Sequence, residues 1–298
     1  MRLIDRLPCS NQSRDRHDPL YGTASAGLSW LLLEVAGGWG PSAFTGSPSV
    51  LDPALGLAIV RRAEASGMRI AAIRRPGRRE SPSRWRWFIA SSRPGQEWLV
   101  GGEVASPQDY LDVPLDGSAG QPVDGPLVIV CAHGRHDQCC AVRGRVVAGA
   151  IAARYPQETW ECSHVGGDRF AATMILLPHG LSYGRVDSVD DPASIVAAYT
   201  QGRVDDSLLR GRTAYSHVVQ AAQHFARTQH GDDHIDAYAP LAVREDGDVS
   251  TVLLAADPKP LEVALQATLS EPLLSTCHAR IPGRVTQFAL RSVRTATG

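Results

Sequence analysis

The chain has 298 residues, of which 43% are hydrophobic and 20% are charged, and its formal net charge is −1. This composition predicts a globular protein with enough apolar material for two or three packed domains. It excludes a strong overall electrostatic field that would attract nucleic acid or an anionic membrane.

The N-terminal segment predicts a cytoplasmic protein. It carries charges at Arg2, Asp5 and Arg6 and lacks an uninterrupted apolar core, so it does not have the pattern of a signal peptide. No stretch approaches the roughly 20 apolar residues that a membrane span requires. In the reducing cytoplasm, clustered cysteines indicate metal binding or catalysis rather than a disulfide framework.

The first third of the chain predicts the element order β-α-β-β-β. A polar, irregular start reaches about Thr23. The predicted elements are a strand over 28–34, a helix over 52–66 and strands over 68–74, 85–90 and 97–100. Gly67 supplies the end of the helix. Residues 102–125 are rich in Pro, Gly, Asp and Ser, with a short helix near Tyr110, and they indicate a domain boundary.

The middle of the chain predicts nearly the same order again, β-α-β-β-β-α. The predicted elements are a strand over 127–131, a helix from Cys139 or Cys140 to Tyr155, strands over 159–162, 171–177 and 181–186, and a helix over 192–199. The first of these helices is expected to present one apolar face, made of Val142, Val146, Val147, Ala150, Ile151 and Tyr155. Pro156 prevents its continuation.

The last third predicts a small α+β accessory region in which nothing catalytic is evident. Its predicted elements are a helix over 213–227, a hairpin of strands 241–244 and 249–254, and strands over 261–269 and 285–290. An Asp-Gly step, Asp246-Gly247, is the turn signal of the hairpin.

The predicted fold class is α/β. The repeated element order suggests two tandem thioredoxin-like units followed by a small C-terminal α+β region, while the alternative is that this order is simply common. The predicted divisions are 1–112 for a first thioredoxin-like unit without ligands, 113–125 for a linker, 126–203 for a second thioredoxin-like unit and 204–298 for the accessory region.

Residues 126–186 concentrate the chemistry of the chain. They contain Cys131, Cys139, Cys140 and Cys162, four of its six cysteines, together with the loop His164-Val-Gly-Gly-Asp168. Cys131 ends a predicted strand, and Cys140 begins a predicted helix, whose N-terminus favours a thiolate. Two thiolates from one loop and His164 and Asp168 from a second supply the four ligands of either a zinc ion or a 2Fe-2S cluster.

At these positions the sequence resembles the sucrase/ferredoxin-like proteins, relatives of the thioredoxin-like 2Fe-2S ferredoxins. The matching segments are CAHGRHD at 131–137 with Cys140, SHVGGDRFA at 163–171 and LPHGLSYGRV at 177–186. Weaker similarity covers PLYGTA at 19–24, WLLLE at 30–34 and IRRPGR at 73–78. The similarity therefore extends over most of the chain up to about residue 203.

The resemblance implies a thioredoxin-like fold with a 2Fe-2S cluster whose ligands fall on Cys131, Cys140, His164 and Asp168. Asp168 stands where the His-x-x-x-His pattern of the family has histidine. Carboxylate is a harder ligand than imidazole or thiolate, which leaves Cys162 as a reserve candidate for this position and Cys139 as a spare. Imidazole ligation would raise the reduction potential, and a titrating His164 would make that potential fall as pH rises.

The remaining histidines and cysteines have simpler expected roles. Cys9 and Cys277 are expected to be packed or incidental, and Cys139 to be a core residue, because free cysteine is usually buried. His133 and His136 are expected to hydrogen-bond the backbone of their loop. The other predictions are that His179 faces solvent and that the arginine and tryptophan residues of 74–87 form a strand with one wet face.

The sequence thus predicts a one-electron carrier rather than an enzyme with its own substrate. The alternatives are a thiol-disulfide redox enzyme, for which no Cys-x-x-Cys motif is present, and a structural zinc protein that uses the same residues. The expected partners are an electron donor and an electron acceptor protein, with neither nucleic acid nor membrane among them.

Overall fold

A computed structural model describes residues 7–77 and 82–296. The helices are α1 (Cys9–Asp15), α2 (Pro53–Ala65), α3 (Arg145–Ala152), α4 (Ala193–Thr200) and α5 (His217–His230). The strands are β1 (Ser29–Glu34), β2 (Arg69–Arg74), β3 (Trp85–Ser91), β4 (Trp98–Val104), β5 (Gln121–Pro122), β6 (Leu127–Cys131), β7 (Thr159–Cys162), β8 (Met174–Leu177), β9 (Leu181–Tyr183), β10 (Leu209–Arg212), β11 (Pro240–Asp246), β12 (Val249–Leu254), β13 (Leu261–Leu269) and β14 (Thr286–Thr295).

The architecture is mixed α/β, with a large mixed sheet and a small antiparallel one. The large sheet has ten strands in the order β10-β9-β8-β6-β7-β2-β1-β3-β4-β5. β1 and β2 are parallel and joined through α2, and β6 and β7 are parallel and joined through α3. Each pair is followed by antiparallel strands, so the order 2-1-3-4-5 in one half corresponds to 7-6-8-9-10 in the other. β2 and β7 meet antiparallel at the centre.

Side-chain alternation on β6 separates two buried clusters. Val128 and Val130 pack on one face with Val147 and Ile151 of α3. Cys131 points to the opposite face with the other odd-numbered residues of the strand, because successive side chains of a strand alternate between faces. This alternation places the Cys131 thiol in the same buried cluster as Cys140 and Cys162.

The C-terminal region forms its own layer. β11, β12, β13 and β14 make a four-stranded antiparallel sheet in that order. Val219 and Ala222 of α5 pack on Val252 and Val263 of this sheet. A two-residue turn containing Gly247 joins β11 to β12, as the sequence predicts. The strand β10, which lies inside the predicted accessory region, joins the large sheet instead.

Several predicted elements need correction. The start of the chain is not irregular, because α1 occupies Cys9–Asp15. The strand predicted over 171–177 begins only at Met174, and the helix predicted from Thr213 begins at His217, since the Thr213 hydroxyl donates to the Gly27 carbonyl instead. The short strands β5 and β10 were not predicted. β5 lies in the predicted linker 113–125, and the domain divisions stay predictions.

The apolar face predicted for the helix after Cys139 is partly wrong. A π-helical turn spans Cys140–Gly144 before α3 begins, and its wider turn rotates the residues that precede it relative to α3. Val147 and Ile151 are buried, whereas the side chains of Val142 and Val146 are exposed. Val146 lies on α3 itself, so the buried face of this helix is formed by Val147, Ala148 and Ile151 and not by the whole predicted set.

The arginine and tryptophan run of 74–87 is a strand with one wet face in its second part. Trp87 is buried on β3 while Arg86 is exposed and pairs with Glu103. The guanidinium of Arg75 stacks on Trp160, with its Cζ atom 3.8 Å from the ring centroid. Arg78 and Arg79 lie outside the described residues. These contacts favour a structural role, and the expected lack of a nucleic-acid partner stays a prediction.

The expectation that His179 faces solvent also needs correction. Its side chain is half-buried, and its Nδ1 atom lies 2.6 Å from the Tyr199 hydroxyl.

Within the part of the chain that the structure describes, no helix is long and apolar enough to cross a bilayer.

Candidate metal centre

The candidate centre lies where β6 and β7 end. Cys131 and Cys162 are register partners on these parallel strands, and both side chains are buried. Cys140 opens the π-helical turn that follows the Ala132–Cys139 loop. A Cβ atom at Gly144 would lie 1.9 Å from the Cys131 carbonyl oxygen, so only glycine lets this turn approach the end of β6 so closely.

The loop after β7 supplies His164 and Asp168. Gly166 and Gly167 between them have φ values of 93° and 91°, in the left-handed region that favours glycine. This bend brings His164 Nδ1 to 3.0 Å from Asp168 Oδ1. Asp168 Oδ1 in turn accepts a contact from the Cys140 thiol at 3.3 Å. The structure therefore brings all four predicted site residues together.

Electrostatics at the centre favour a thiolate at Cys131. The pKa of Cys131 is held well below its usual value because the thiols of Cys140 and Cys162 and the His164 side chain donate hydrogen bonds to its sulfur. Hydrogen bonding to the Cys131 thiolate and then burial raise the pKa of the Cys140 thiol. Burial, followed by hydrogen bonding to Cys131, raises the pKa of Cys162.

His164 and Asp168 form a charged pair beside this thiolate. Burial alone would lower the pKa of His164, but hydrogen bonds to Asp168 and Cys131 outweigh it and raise the pKa to about 9. Burial would raise the pKa of Asp168, yet hydrogen bonds from His136 and His164 lower it overall. Metal binding to His164 must displace a proton from its ring, since a ligating nitrogen needs a free lone pair.

His136 has a different role from the predicted backbone contact. Its ring stacks on His164 with centroids 3.8 Å apart, and its Nε2 atom lies 3.5 Å from Asp168 Oδ2. His136, His164 and Asp168 could hold a metal ion on geometric grounds. His133 Nε2 hydrogen-bonds the Gly40 carbonyl at 2.7 Å, a backbone contact with another loop rather than its own.

The centre is buried on its sulfur side and open on its imidazole side. Cys131 and Cys140 are almost fully buried, whereas about a third of the His164 and His136 side chains is exposed, at 34% and 35%. A cavity of about 530 Å³ adjoins His164 and Asp168 and is also lined by residues of the C-terminal region. Small molecules or a partner surface would therefore reach the centre from the histidine side.

The sequence model of the sucrase/ferredoxin-like family matches residues 59–211, which is just over half of the chain. The chain belongs to the sucrase/ferredoxin-like family. The match spans β2 to β9, so it contains every residue of the candidate centre, as the resemblance implies. The chain matches no curated protein and no solved structure.

A second group of thiols lies outside the predicted site. Cys9, Asp137, Cys139 and Cys277 place their ligand atoms within 4.8 Å of one another. Cys9 and Cys277 fall outside the residues that match the family model. Cys9 and Cys139 are packed in the core, as the sequence predicts, and Cys277 packs against them. The sequence did not predict that the three thiols lie together. Their separation along the sequence leaves no local spacing signal that would have revealed the group.

Proposed function

We propose that this protein carries single electrons on a 2Fe-2S cluster held by Cys131, Cys140, His164 and Asp168. The observation that carries the proposal is the convergence of a buried thiol pair with an imidazole-carboxylate pair, with Cys140 Sγ 3.3 Å from Asp168 Oδ1. Two thiolates, an imidazole and a carboxylate are a donor set that iron accepts. A bound cluster of this type supplies one-electron chemistry.

The repeated strand order supports the finer fold proposal of two tandem thioredoxin-like units. Each half has a parallel pair joined by a helix, followed by antiparallel strands. In this proposal the second unit holds the ligands, and the first contributes its sheet edge at β2, which pairs with β7. Superposition of the two halves on one common set of strands is the test of a duplicated origin.

The charges of the ligands set the expected reduction potential. Cys131, Cys140 and Asp168 bring three negative charges when ionised, compared with four in an all-cysteine site and two in a Rieske site. Each additional negative charge opposes electron uptake. The potential is therefore expected between roughly −400 mV, typical of plant-type ferredoxins, and the Rieske range that begins near −150 mV.

The exposed edge of the centre defines the route for electrons. His164 and His136 lie between the buried thiols and solvent, so a donor or acceptor protein would dock over the imidazole rings. Their identities do not follow from this surface, and the expected partners remain redox proteins as a class. In this account the chain positions the electron close to its surface without a substrate of its own.

One observation favours a thiol-disulfide enzyme as a second candidate. Cys131 is a stabilised thiolate in contact with the Cys140 and Cys162 thiols, which is the pairing that disulfide exchange requires. Complete burial of Cys131 and Cys162 opposes it, since an incoming disulfide must reach the attacking sulfur.

Anaerobic purification followed by iron, sulfide and visible absorption analysis tests the proposal. The wild type is expected to be brown, with about two iron and two sulfide ions per chain. Cys140→Ser is expected to lose most of this iron, while Cys277→Ser serves as a cysteine control that keeps its colour. Asp168→Ala is expected to lose its colour. If Asp168→Ala keeps its colour and Cys162→Ser loses it, the fourth ligand is Cys162. A colourless wild type that retains zinc would defeat the proposal.

A further inference from the structure

Three cysteines and one aspartate converge at a second position. Cys139 Sγ lies 3.3 Å from Cys277 Sγ and 3.8 Å from Cys9 Sγ, and Cys277 Sγ lies 3.4 Å from Cys9 Sγ. Asp137 Oδ2 lies 3.6 Å from Cys9 Sγ. The three sulfur atoms and one carboxylate oxygen all lie within 4.8 Å of one another.

The fold holds these four side chains from three separate parts of the chain. Cys9 begins α1, Asp137 and Cys139 lie on the loop before the π-helical turn, and Cys277 lies between β13 and β14. The carboxylate is fixed by two backbone N–H donors: Cys139 N donates to Oδ1 at 2.8 Å and Cys277 N donates to Oδ2 at 2.6 Å. Asp137 is thus oriented toward the sulfur atoms by the chain itself.

The buried carboxyl group of Asp137 has no cationic partner among the described residues that could stabilise its ionised form. Asp137 is fully buried, and it makes no ion pair with an arginine or lysine anywhere in residues 7–77 and 82–296. A buried carboxylate without a cationic partner is costly. A bound divalent cation would supply that partner and would favour the thiolate form of the neighbouring cysteines.

We propose that Cys9, Asp137, Cys139 and Cys277 form a structural zinc site, separate from the proposed cluster. The observed sulfur separations of 3.3 to 3.8 Å are close to the tetrahedron edge of roughly 3.8 Å expected for thiolates about 2.3 Å from zinc. Three thiolates with a carboxylate give the four ligands of a closed site. A single disulfide would join only two of these three sulfur atoms, whereas a zinc ion would bind all three.

The burial of the ligands agrees with a structural rather than a catalytic site. Cys9, Asp137 and Cys139 are buried, and only Cys277 is partly exposed. Zinc at this point would tie α1 and the C-terminal region to the loop that ends at Cys140. The C-terminal region would then contribute one zinc ligand that joins it to α1 and to the loop containing Asp137 and Cys139.

Zinc content of the full chain tests this inference independently of the proposed cluster. Wild type dialysed with Zn²⁺ and freed of excess metal is expected to keep about one zinc ion per chain. Cys277→Ser and Cys9→Ser should lower zinc content at least several-fold while the visible colour remains. Cys140→Ser should show the opposite pattern, with zinc retained and colour lost.

X-ray absorption at the zinc edge supplies a readout on the unmutated protein. About three sulfur neighbours near 2.3 Å and one oxygen neighbour near 2.0 Å are expected. Absence of bound zinc in the wild type, or zinc that Cys140→Ser removes and Cys277→Ser does not, would overturn the inference. A Cys139-Cys277 disulfide found by mass spectrometry in anaerobically prepared, zinc-treated wild type would overturn it as well.

Discussion

His164 Nδ1 lies 3.0 Å from Asp168 Oδ1 across the intervening Val165, Gly166 and Gly167. This contact places an imidazole and a carboxylate side by side at the same edge of the candidate centre. It exists because Gly166 and Gly167 both adopt positive φ, a conformation that side-chain-bearing residues rarely take. The contact between His164 and Asp168 therefore depends on the backbone conformation of two glycines, which have no side chains.

Gly167→Ala is expected to disrupt the centre. A Cβ atom at this position would lie 2.3 Å from the Arg210 Nη1 atom, and the left-handed backbone adds roughly 1–2 kcal/mol of strain. We expect lower thermal stability and loss of most of the bound iron, measured by calorimetry and iron analysis. Gly202→Ala is the matched control, because Gly202 has φ 73° with no atom within 4 Å of its added Cβ. Equal losses in both variants would contradict a specific role for the Gly167 contact.

Asp168→His is expected to raise the reduction potential. In the proposed centre, the change replaces a negatively charged ligand with a neutral one and restores the ligand pattern that the family resemblance implies. Half of the difference between plant-type and Rieske potentials corresponds to roughly 125–350 mV for one ligand. Protein-film voltammetry of wild type and variant measures the shift. An unchanged potential in a fully loaded variant would show that Asp168 is not a ligand.

Arg210→Gln is expected to lower the reduction potential. Arg210 is buried, and its positive charge acts on Asp168 and Cys140 while its Nη1 atom donates to the Gly166 carbonyl at 3.1 Å. Removing a cation near the centre disfavours electron uptake by something on the order of tens of millivolts. Redox titration measures the change, with Arg154→Gln on the exposed surface as control. A potential that stays the same or rises would contradict this electrostatic role.

Asp187→Asn is expected to destabilise the protein most near neutral pH. Burial would raise the pKa of Asp187, but the Ala172 N–H and the charges of Arg143 and Arg14 lower it overall. A lowered carboxyl pKa gives stability that is present above the unfolded value of about 4 and is lost as pH falls through the folded value. Asp187 and its two arginine partners are half-buried, so removing this carboxylate should cost roughly 1–3 kcal/mol at pH 7, as for a hydrogen bond to a charged group.

Denaturant unfolding followed by circular dichroism between pH 3 and pH 7 measures this effect. The difference between wild type and Asp187→Asn should shrink as the pH falls below about 4. Asp191→Asn is the control, because its ion pair with Arg154 is exposed and is worth at most about 1 kcal/mol. A difference that is constant with pH would show that the ion pairs of Asp187 do not stabilise the fold.

The predictable part of the fold is the part that rests on simple periodicity. The strand that ends at Cys131 and the strand that ends at Cys162 lie where the sequence predicts, because apolar runs bounded by loops define buried strands. Val146 of α3 and Val142 of the π-helical turn are both exposed although they were assigned to the apolar face, because that face is centred on Val147 and Ile151 instead. The same turn carries Cys140, whose place in the centre was predicted from its position after the loop.

Contacts between residues far apart in the sequence could not be predicted. Cys131, Cys140, His164 and Asp168 fall within one stretch of two loops, so local order was enough to group them. Cys9 and Cys277 lie 268 positions apart and meet only through the packing of α1 against the rest of the fold. The residues that flank Cys9 and Cys277 in the sequence give no signal that the two cysteines meet in the fold.

Pulsed electron paramagnetic resonance of the reduced wild type tests the central claim most directly. A half-reduced 2Fe-2S cluster is paramagnetic, and a nitrogen ligand adds a hyperfine coupling that an all-cysteine site lacks. We predict a reduced-cluster signal with a directly coupled histidine nitrogen, lost in His164→Ala and kept in His179→Ala. A protein that gives no such signal after anaerobic loading with iron and sulfide would contradict the account.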